Sequence, residues 1–194
     1  MMNTVIDFQK GASALVVEER VAISNSRICE CKPNHLNCLT AKEWLKSQIG
    51  VWQFNYGKGD VRNKKLHPAT FPLSLAEKCI SLFTHKGELV VDPFVGSGTT
   101  LVAARDLDRN AVGFDLKEEY VELSHSRLAQ IPLESNTQQL AITADARNIS
   151  DYLEPETINL LLTSPPYANL LNRKRLNKRS EEHTSELQSR RNLV

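Results

Sequence analysis

The sequence feature that most constrains this chain's fold is a strand–turn–helix pattern at residues 89–100. A short apolar run ends at Asp92, and a helical period follows a turn that contains Gly96, Ser97 and Gly98. Glycines at such a turn permit positive φ and let the backbone approach a ligand, as in α/β sheets that bind nucleotides beyond their strand ends. The turn is therefore a candidate cofactor loop, and a plain structural turn is the alternative. Its spacing is neither that of a P-loop nor Gly-x-Gly-x-x-Gly.

Strands and helices alternate along the rest of the pattern. Helices are predicted at 73–84, 99–107 and 118–129, and further strands at 111–114, 140–143 and 158–162. This alternation, with almost continuously apolar strands, predicts a doubly wound, mostly parallel α/β sheet. The strand ends carry Asp92, Asp115, Asp145 and Ser164. Because carboxyl ends of parallel strands share one edge, we expect these side chains to converge there.

Length and composition place few other limits on the protein. The chain has 194 residues, 41% of them hydrophobic, and a formal net charge of +1, which suits one α/β domain. Neither a membrane span nor a signal peptide is recognisable, so a cytoplasmic location without a membrane partner is expected. The nearly neutral charge neither supports nor excludes nucleic acid as a partner.

Four cysteines without a recognisable export signal predict reduced thiols. Cys29, Cys31 and Cys38 lie near His35, which raises the question of a small metal site. The spacing Cys-x-Cys-x3-His-x2-Cys is not a standard zinc pattern, so free thiols and no metal are expected.

Five motifs, taken in order, resemble those of the DNA methyltransferases that modify the exocyclic amino group of cytosine or adenine. They are His67-Pro68, Asp92-Pro93-Phe94-Val95-Gly96-Ser97-Gly98-Thr99-Thr100, Gly113-Phe114-Asp115, Ala144-Asp145-Ala146 and Thr163-Ser164-Pro165-Pro166-Tyr167. The resemblance covers about residues 67–175. It implies a Rossmann-like sheet that binds S-adenosylmethionine and site-specific methylation of double-stranded DNA, and it allows for a restriction endonuclease as partner.

The resemblance also implies roles for individual residues. Gly96 and Gly98 would pass close to the methionine part of the donor, Asp115 would bind its ribose, and Asp145 its adenine amino group. The turn at His67 would flank the amino-acid end. The full set of predicted cofactor-binding residues is His67, Pro68, Asp92, Pro93, Phe94, Gly96, Ser97, Gly98, Thr99, Asp115, Asp145 and Ala146.

The predicted catalytic residues are Ser164, Pro165, Pro166 and Tyr167. An exocyclic amino nitrogen is a poor nucleophile, and acceptors for its hydrogens stabilise the positive charge that develops on it. The Ser164 hydroxyl and the Pro165 carbonyl would be those acceptors, held by two rigid prolines. Tyr167 would stack on a base flipped out of the duplex. The remainder of the rate enhancement would come from aligning the sulfonium methyl group with the attacking nitrogen, so neither a metal nor a covalent intermediate is required.

The target base, the nucleic-acid substrate and the presence of catalysis itself stay open. Serine at the first motif position favours N4 of cytosine over N6 of adenine. An RNA methyltransferase acting on guanine amino groups of tRNA is the nearest alternative, and a nucleotide-binding module without catalysis is another.

The sequence suggests three parts. Residues 1–66 form an N-terminal extension with one helix, which Thr40 and Glu43 would cap, and with uncertain strands. The segment at 25–37 is expected to be a loop. Residues 67–178 form an incomplete methyltransferase domain, whose basic run at 173–175 is predicted to contact DNA phosphates. Residues from 179 to about 189 resemble a translated sequencing adapter, and the whole tail at 179–194 is expected to be artefactual. The sheet is accordingly expected to be truncated at its C-terminal side and the chain, as given, to be nearly inactive.

Overall fold

The computed structural model describes residues 20–57, 70–130 and 136–165. Several predicted site residues and segments lie outside these ranges, namely His67, Pro68, Pro166, Tyr167, the basic run at 173–175 and the tail at 179–194. The predictions made for them stay predictions.

Short strands and helices alternate through the described ranges. In chain order they are β1 (His35–Leu36), β2 (Leu39–Thr40), α1 (Ala41–Ser47), α2 (Leu73–Phe83), β3 (Leu89–Asp92), α3 (Thr99–Asp106), β4 (Asn110–Asp115), α4 (Glu118–Ala129), β5 (Gln139–Thr143), α5 (Ile149–Tyr152) and β6 (Leu160–Leu161), with a 3-10 turn at Ala146–Asn148 before α5.

The central sheet is parallel, with the strand order β5-β4-β3-β6. The strands β3, β4 and β5 follow one another in one direction, and the chain then returns so that β6 pairs with the opposite side of β3. The strand order therefore reverses between β3 and β6. In open α/β sheets a crevice for ligands forms at such a reversal, beyond the carboxyl ends of the strands. The predicted parallel α/β fold is confirmed.

Both faces of the sheet are covered, because its strands alternate apolar side chains between two core layers. One layer joins Val90, Ala111 and Ala141 of the sheet to residues of α2, α3 and α4. The other contains Leu89, Val91, Val112, Phe114 and Ile142. A completely buried strand such as Leu-Val-Val-Asp of β3 needs this covering on both faces.

Residues near the start of the described chain contribute to the second layer. Val21 and Ile23 pack there beside α5, and the N–H of Val21 donates to the carbonyl of Tyr152 at 2.7 Å. Part of the predicted N-terminal extension thus lies against the sheet, and the boundary proposed at residue 66 stays a prediction.

The helix predicted after residue 40 and the strand predicted at 158–162 both lie in the described ranges. The helix expected after residue 40 is α1, and its capping box is present: Glu43 N–H donates to Thr40 Oγ1 at 3.3 Å, and Thr40 N–H to Glu43 Oε2 at 2.9 Å. The strand predicted at 158–162 is shorter, since only Leu160–Leu161 pairs, and it is the edge strand of the described sheet, with Leu161 54% exposed. None of the helices in the described ranges has the length and apolar character needed to cross a bilayer.

Candidate active site

The glycine turn after β3 packs tightly against α4. Gly96 and Gly98 have positive φ angles of 50° and 76°. A Cβ on Gly98 would lie 2.8 Å from the Cβ and Oγ of Ser124, so this position has no room for a larger residue. Ser124 Oγ also donates to the carbonyl of Gly96 at 2.9 Å. The turn is therefore held in one shape by the helix behind it.

Asp92 organises the same turn from inside the protein. Its side chain is only 1% exposed; Oδ2 accepts from Thr100 Oγ1 at 2.6 Å and Oδ1 from the N–H of Phe94 at 3.1 Å. Burial raises the pKa of the Asp92 carboxyl, while the Thr100 hydrogen bond opposes that rise. The Thr163 hydroxyl also faces this carboxyl and opposes the rise in its pKa, although it makes no hydrogen bond of regular geometry within the described residues.

A buried arginine supports the other side of the turn. Arg127 of α4 donates through Nη1 to the carbonyl of Ser97 at 2.5 Å, to Ser97 Oγ at 3.1 Å and to Thr99 Oγ1 at 3.1 Å. The hydroxyls of Ser97 and Thr99 are both buried and face this guanidinium. The predicted contact of Ser97 and Thr99 with S-adenosylmethionine stays a prediction. The role that their geometry supports is to fix the shape of the turn.

Asp115 stands at the carboxyl end of β4, next to the turn. Its Oδ2 accepts from the N–H of Gly96 at 3.1 Å, and its Oδ1 accepts from the N–H of Lys117 at 3.0 Å. The side chain is partly exposed, and a carboxylate has about four acceptor positions, so capacity remains for the hydroxyls of a ligand. Two apolar side chains flank the turn and Asp115: Leu116 is 71% exposed and Phe94 is 43% exposed.

Asp145 follows the end of β5 on the same rim, which is the edge of the sheet formed by the carboxyl ends of its strands. The N–H of Ala144 donates to the carbonyl of Asp115 at 3.0 Å, which joins the ends of β4 and β5. The carboxylate of Asp145 accepts from the backbone N–H of Arg147 at 2.9 Å and from its Nε at 3.0 Å. These hydrogen bonds lower the pKa of Asp145 to about 2. Ala146 begins the 3-10 turn that Asp145 caps.

The end of β6 completes the rim at the point where the strand order reverses. In the β3–β6 pair Val91 is opposite Leu161, and the N–H of Leu162 donates to the carbonyl of Val91 at 2.9 Å. The chain after Leu162 therefore leaves the sheet beside Asp92. Ser164 is partly buried there and Pro165 is exposed, and their predicted role as acceptors stays a prediction.

The structure thus brings Asp92, Asp115, Asp145 and Ser164 to one edge, as the sequence predicts. The first motif, His67-Pro68, and the last two residues of the final motif lie outside the described ranges. Sequence reasoning missed the residues that hold the turn. Ser124 and Arg127 lie three positions apart on α4, and polar residues at that spacing on the buried face of a helix are the signal that would have found them.

A second cluster lies elsewhere. The structure brings Cys29, Cys31 and Cys38 together, but the histidine beside them is His85 and not the His35 considered from the sequence. His85 follows α2, so no local spacing pattern could indicate it.

Known proteins resemble this chain over its central part. The Type II methyltransferase M.BglI of Bacillus subtilis is 34% identical over 128 residues, which are 65% of this chain and 36% of that protein. M.HpaI of Haemophilus parainfluenzae, also a Type II methyltransferase, is 38% identical over 78 residues, 40% of this chain and 25% of that protein. The chain therefore spans about a third or less of the length of these relatives.

Among solved structures, the Thermus thermophilus protein TTHA0409 in complex with S-adenosyl-L-methionine is 25% identical, with a TM-score of 0.37, over 64% of this chain and 55% of that one.

The model of one protein family, described as DNA methylase, matches residues 6–126. That range contains the glycine turn, its buried Asp92 and the neighbouring Asp115, and it ends before Asp145 and Ser164. The match covers more than half of the sequence and includes the turn that the fold places at the reversal of strand order, and the chain accordingly belongs to the DNA methylase family.

Proposed function

We propose that this chain carries the donor site and the methyl-transfer site of a DNA methyltransferase that uses S-adenosylmethionine and modifies an exocyclic amino group. The observation that carries the proposal is the parallel pairing of β3 with β6, which starts Thr163, Ser164 and Pro165 beside the buried Asp92. A donor on the glycine turn and an acceptor pair for an amino group would then be neighbours.

The residues of the rim fit such a donor. Asp115 keeps acceptor capacity for ribose hydroxyls, and the exposed apolar surfaces of Phe94 and Leu116 suit the faces of an adenine ring. Asp145 must share its carboxylate with the adenine amino group, and its partner Arg147 is exposed enough to move aside.

Bound S-adenosylmethionine supplies an electrophilic methyl group on a sulfonium sulfur. The chain's own residues act on the nucleophile. The Ser164 hydroxyl and the Pro165 carbonyl accept hydrogen bonds from the target amino group, which directs the nitrogen lone pair away from the ring and stabilises the positive charge that develops during transfer. The first position of the final motif is a serine, Ser164, and not an aspartate, and on this basis we favour N4 of cytosine over N6 of adenine as the target. Tyr167 would stack on the flipped base.

The proposal is tested by two separate measurements, the affinity for S-adenosylmethionine and the rate of methyl transfer. Because the chain as given is expected to be nearly inactive, transfer is measured on a version of the gene extended to the length of its relatives. This extended chain is incubated with methyl-labelled S-adenosylmethionine and either duplex DNA or tRNA, and the nucleosides are identified by mass spectrometry. We expect N4-methylcytosine in DNA. Ser164→Ala should lower the transfer rate about 100-fold, the effect of losing one preorganised hydrogen bond at a developing charge, while donor affinity stays within about twofold. Ser150→Ala, at an exposed position on α5, is the matched control and should leave both unchanged.

Three results would count against parts of the proposal. Transfer of the methyl label to tRNA but not to DNA would favour an RNA methyltransferase. N6-methyladenine would reverse the choice of base. Binding of S-adenosylmethionine by the extended chain without transfer to either nucleic acid would favour a nucleotide-binding module.

A further inference from the structure

Four side chains that bind metals well converge near the amino-terminal end of β3, at the opposite end of that strand from the candidate active site. They are Cys29, Cys31, Cys38 and His85, and their ligand atoms all lie within 4.8 Å of one another. The three Sγ···Sγ distances are 3.3, 3.4 and 3.3 Å, and the three distances from Sγ to His85 Nδ1 are 3.4, 3.6 and 3.6 Å.

These six distances describe a nearly regular tetrahedron. The centre of a tetrahedron with such edges lies about 2.1 Å from each corner, close to the usual Zn–S distance of about 2.3 Å and Zn–N distance of about 2.0 Å. The sulfurs are well beyond the distance of about 2.05 Å of a disulfide, and all three cysteines are free. Thiols that merely pack against apolar neighbours have no reason to arrange themselves with an imidazole in this way.

The backbone around the four residues is arranged for this convergence. Cys38 stands in the two-residue turn between β1 and β2, where Asn37 and Cys38 have φ angles of 51° and 68°. Two consecutive positive φ angles are typical of a type I′ hairpin turn, in which asparagine is common and cysteine is not. The N–H of Lys86 points at Cys38 Sγ at 3.4 Å. A backbone N–H directed at a sulfur is the kind of outer contact that orients a metal-bound thiolate.

Other contacts hold the two segments against each other. The N–H of Ile28 donates to the carbonyl of Lys86 at 2.9 Å, and the Asn37 side chain donates to the carbonyl of Leu82. Gly87, with φ of 84°, lies so close to the first segment that a Cβ there would be 2.4 Å from the carbonyl oxygen of Ser26. The loop after α2 and the segment before β1 are thus positioned independently of the four side chains.

Charge near the cluster also suits a metal. Three thiolates, one neutral imidazole and a divalent cation together carry one negative charge. The guanidinium of Arg109 is 3% exposed, acts electrostatically on both Cys38 and Cys29, and is held by Thr84, to whose carbonyl Nη2 donates at 2.7 Å. A permanently charged, buried cation beside the cluster would balance that negative charge.

We propose that Cys29, Cys31, Cys38 and His85 bind one structural zinc ion, which fastens the β1–β2 hairpin to the loop between α2 and β3. Four protein ligands fill a tetrahedral shell, which is characteristic of structural rather than catalytic zinc. Three sulfurs and one nitrogen in this geometry favour zinc over magnesium or calcium, which prefer oxygen. The sequence-based expectation of no metal considered only ligands close together in the chain. The proposal is independent of the proposed methyl transfer.

The first test is metal content. The chain, purified under reducing conditions without a metal-affinity step, should contain about one zinc per molecule by inductively coupled plasma mass spectrometry. His85→Gln and Cys31→Ser should reduce this at least about fivefold. His35→Gln and Cys79→Ser are the matched controls, since they replace a histidine and a cysteine outside the cluster, and they should retain the zinc.

The second test does not depend on a variant that folds. The unmodified chain is reconstituted with Co²⁺ and its absorption spectrum is recorded. Intense d–d bands of a tetrahedral site together with thiolate-to-cobalt charge-transfer bands are expected, and adding Zn²⁺ should remove them. A folded chain without zinc and without these bands, a chain that holds iron instead, a native disulfide among the three cysteines, or zinc lost in His35→Gln but kept in His85→Gln would each overturn the proposal.

Discussion

The backbone N–H of Gly96 donates a hydrogen bond to Oδ2 of Asp115 at 3.1 Å, and this bond joins the glycine turn after β3 to the end of β4. The other carboxylate oxygen of Asp115 accepts from the N–H of Lys117 at 3.0 Å. Both oxygens thus have structural partners before any ligand is bound, so Asp115 shapes the turn as well as offering acceptors to a ligand.

Asp115→Asn should therefore affect both stability and donor binding. An amide can accept with its oxygen from one of the two backbone N–H groups but must turn its NH₂ toward the other. One hydrogen bond is lost, and because the Lys117 N–H is exposed to water, the cost is about 0.5–1.5 kcal/mol. We expect a lower free energy of unfolding in urea and at least about tenfold weaker binding of S-adenosylmethionine by isothermal titration calorimetry. Asp151→Asn, at an exposed position on α5, should change neither quantity.

The buried hydrogen bond between Thr100 and Asp92 should contribute strongly to stability. Thr100→Val keeps the side-chain shape but removes the hydroxyl that donates at 2.6 Å to a carboxyl with almost no access to water. We expect a loss of about 1.5–3 kcal/mol in the free energy of unfolding, the usual range for hydrogen bonds to charged groups, measured by urea denaturation.

Thr70→Val is the matched control for that measurement. Thr70 is also buried, and within the described residues its hydroxyl has no hydrogen-bond partner. The substitution should therefore be nearly neutral or slightly stabilising. Equal losses at Thr70 and Thr100 would mean that the Asp92 hydrogen bond is not the cause.

Gly98→Ala should disrupt the turn. The new Cβ would require a left-handed backbone at φ of 76° and would lie 2.8 Å from Ser124, whose hydroxyl is itself bonded to Gly96. The two effects together should cost about 2–4 kcal/mol of stability, measured by thermal or urea unfolding. Gly50→Ala, where a Cβ meets nothing within 4 Å, should cost less than about 1 kcal/mol. Comparable losses at the two glycines would contradict the tight packing of Gly98 against Ser124.

The sheet and the acidic ends of its strands could be predicted largely from the sequence, because both depend on local patterns. The apolar run of β3, the glycines after it and the acidic residue that ends β4 each show in a few consecutive positions. The helix bounds of α4 agree with the prediction at both ends. The parallel arrangement then follows from alternation of strands and helices, which leaves few other topologies.

What could not be predicted depends on contacts between distant parts of the chain. Arg127 reaches the glycine turn, and His85 reaches three cysteines, only because folding brings separate elements together. The hairpin of β1 and β2 was missed for another reason. Its turn places Asn37 and Cys38 at positive φ, where glycine is the usual signal, so the sequence looked like an irregular loop.

The last prediction concerns Asp145 and its exposed partner Arg147. Hydrogen bonds from the Arg147 side chain and backbone lower the pKa of Asp145 to about 2, below its usual value of about 3.9. A carboxyl whose pKa is lower in the folded protein stabilises the fold above about pH 4, and that contribution is lost as the pH falls through about 2. Because Arg147 is exposed and Asp145 is only partly buried, the effect on global stability should be small, and titration of the carboxyl carbon by NMR is the appropriate measurement.

In Arg147→Gln the same titration should move up toward about 3.9, since the substitution removes the guanidinium and leaves only the backbone N–H as a donor from this residue. Arg20→Gln removes another exposed arginine, which pairs with Glu154, and should leave the Asp145 titration where it is. If Asp145 binds the donor's adenine amino group, releasing it from Arg147 should also keep or improve the affinity for S-adenosylmethionine. An unchanged pKa in Arg147→Gln would show that the ion pair does not persist in solution, and a donor affinity that falls would show that Arg147 itself contributes to the site.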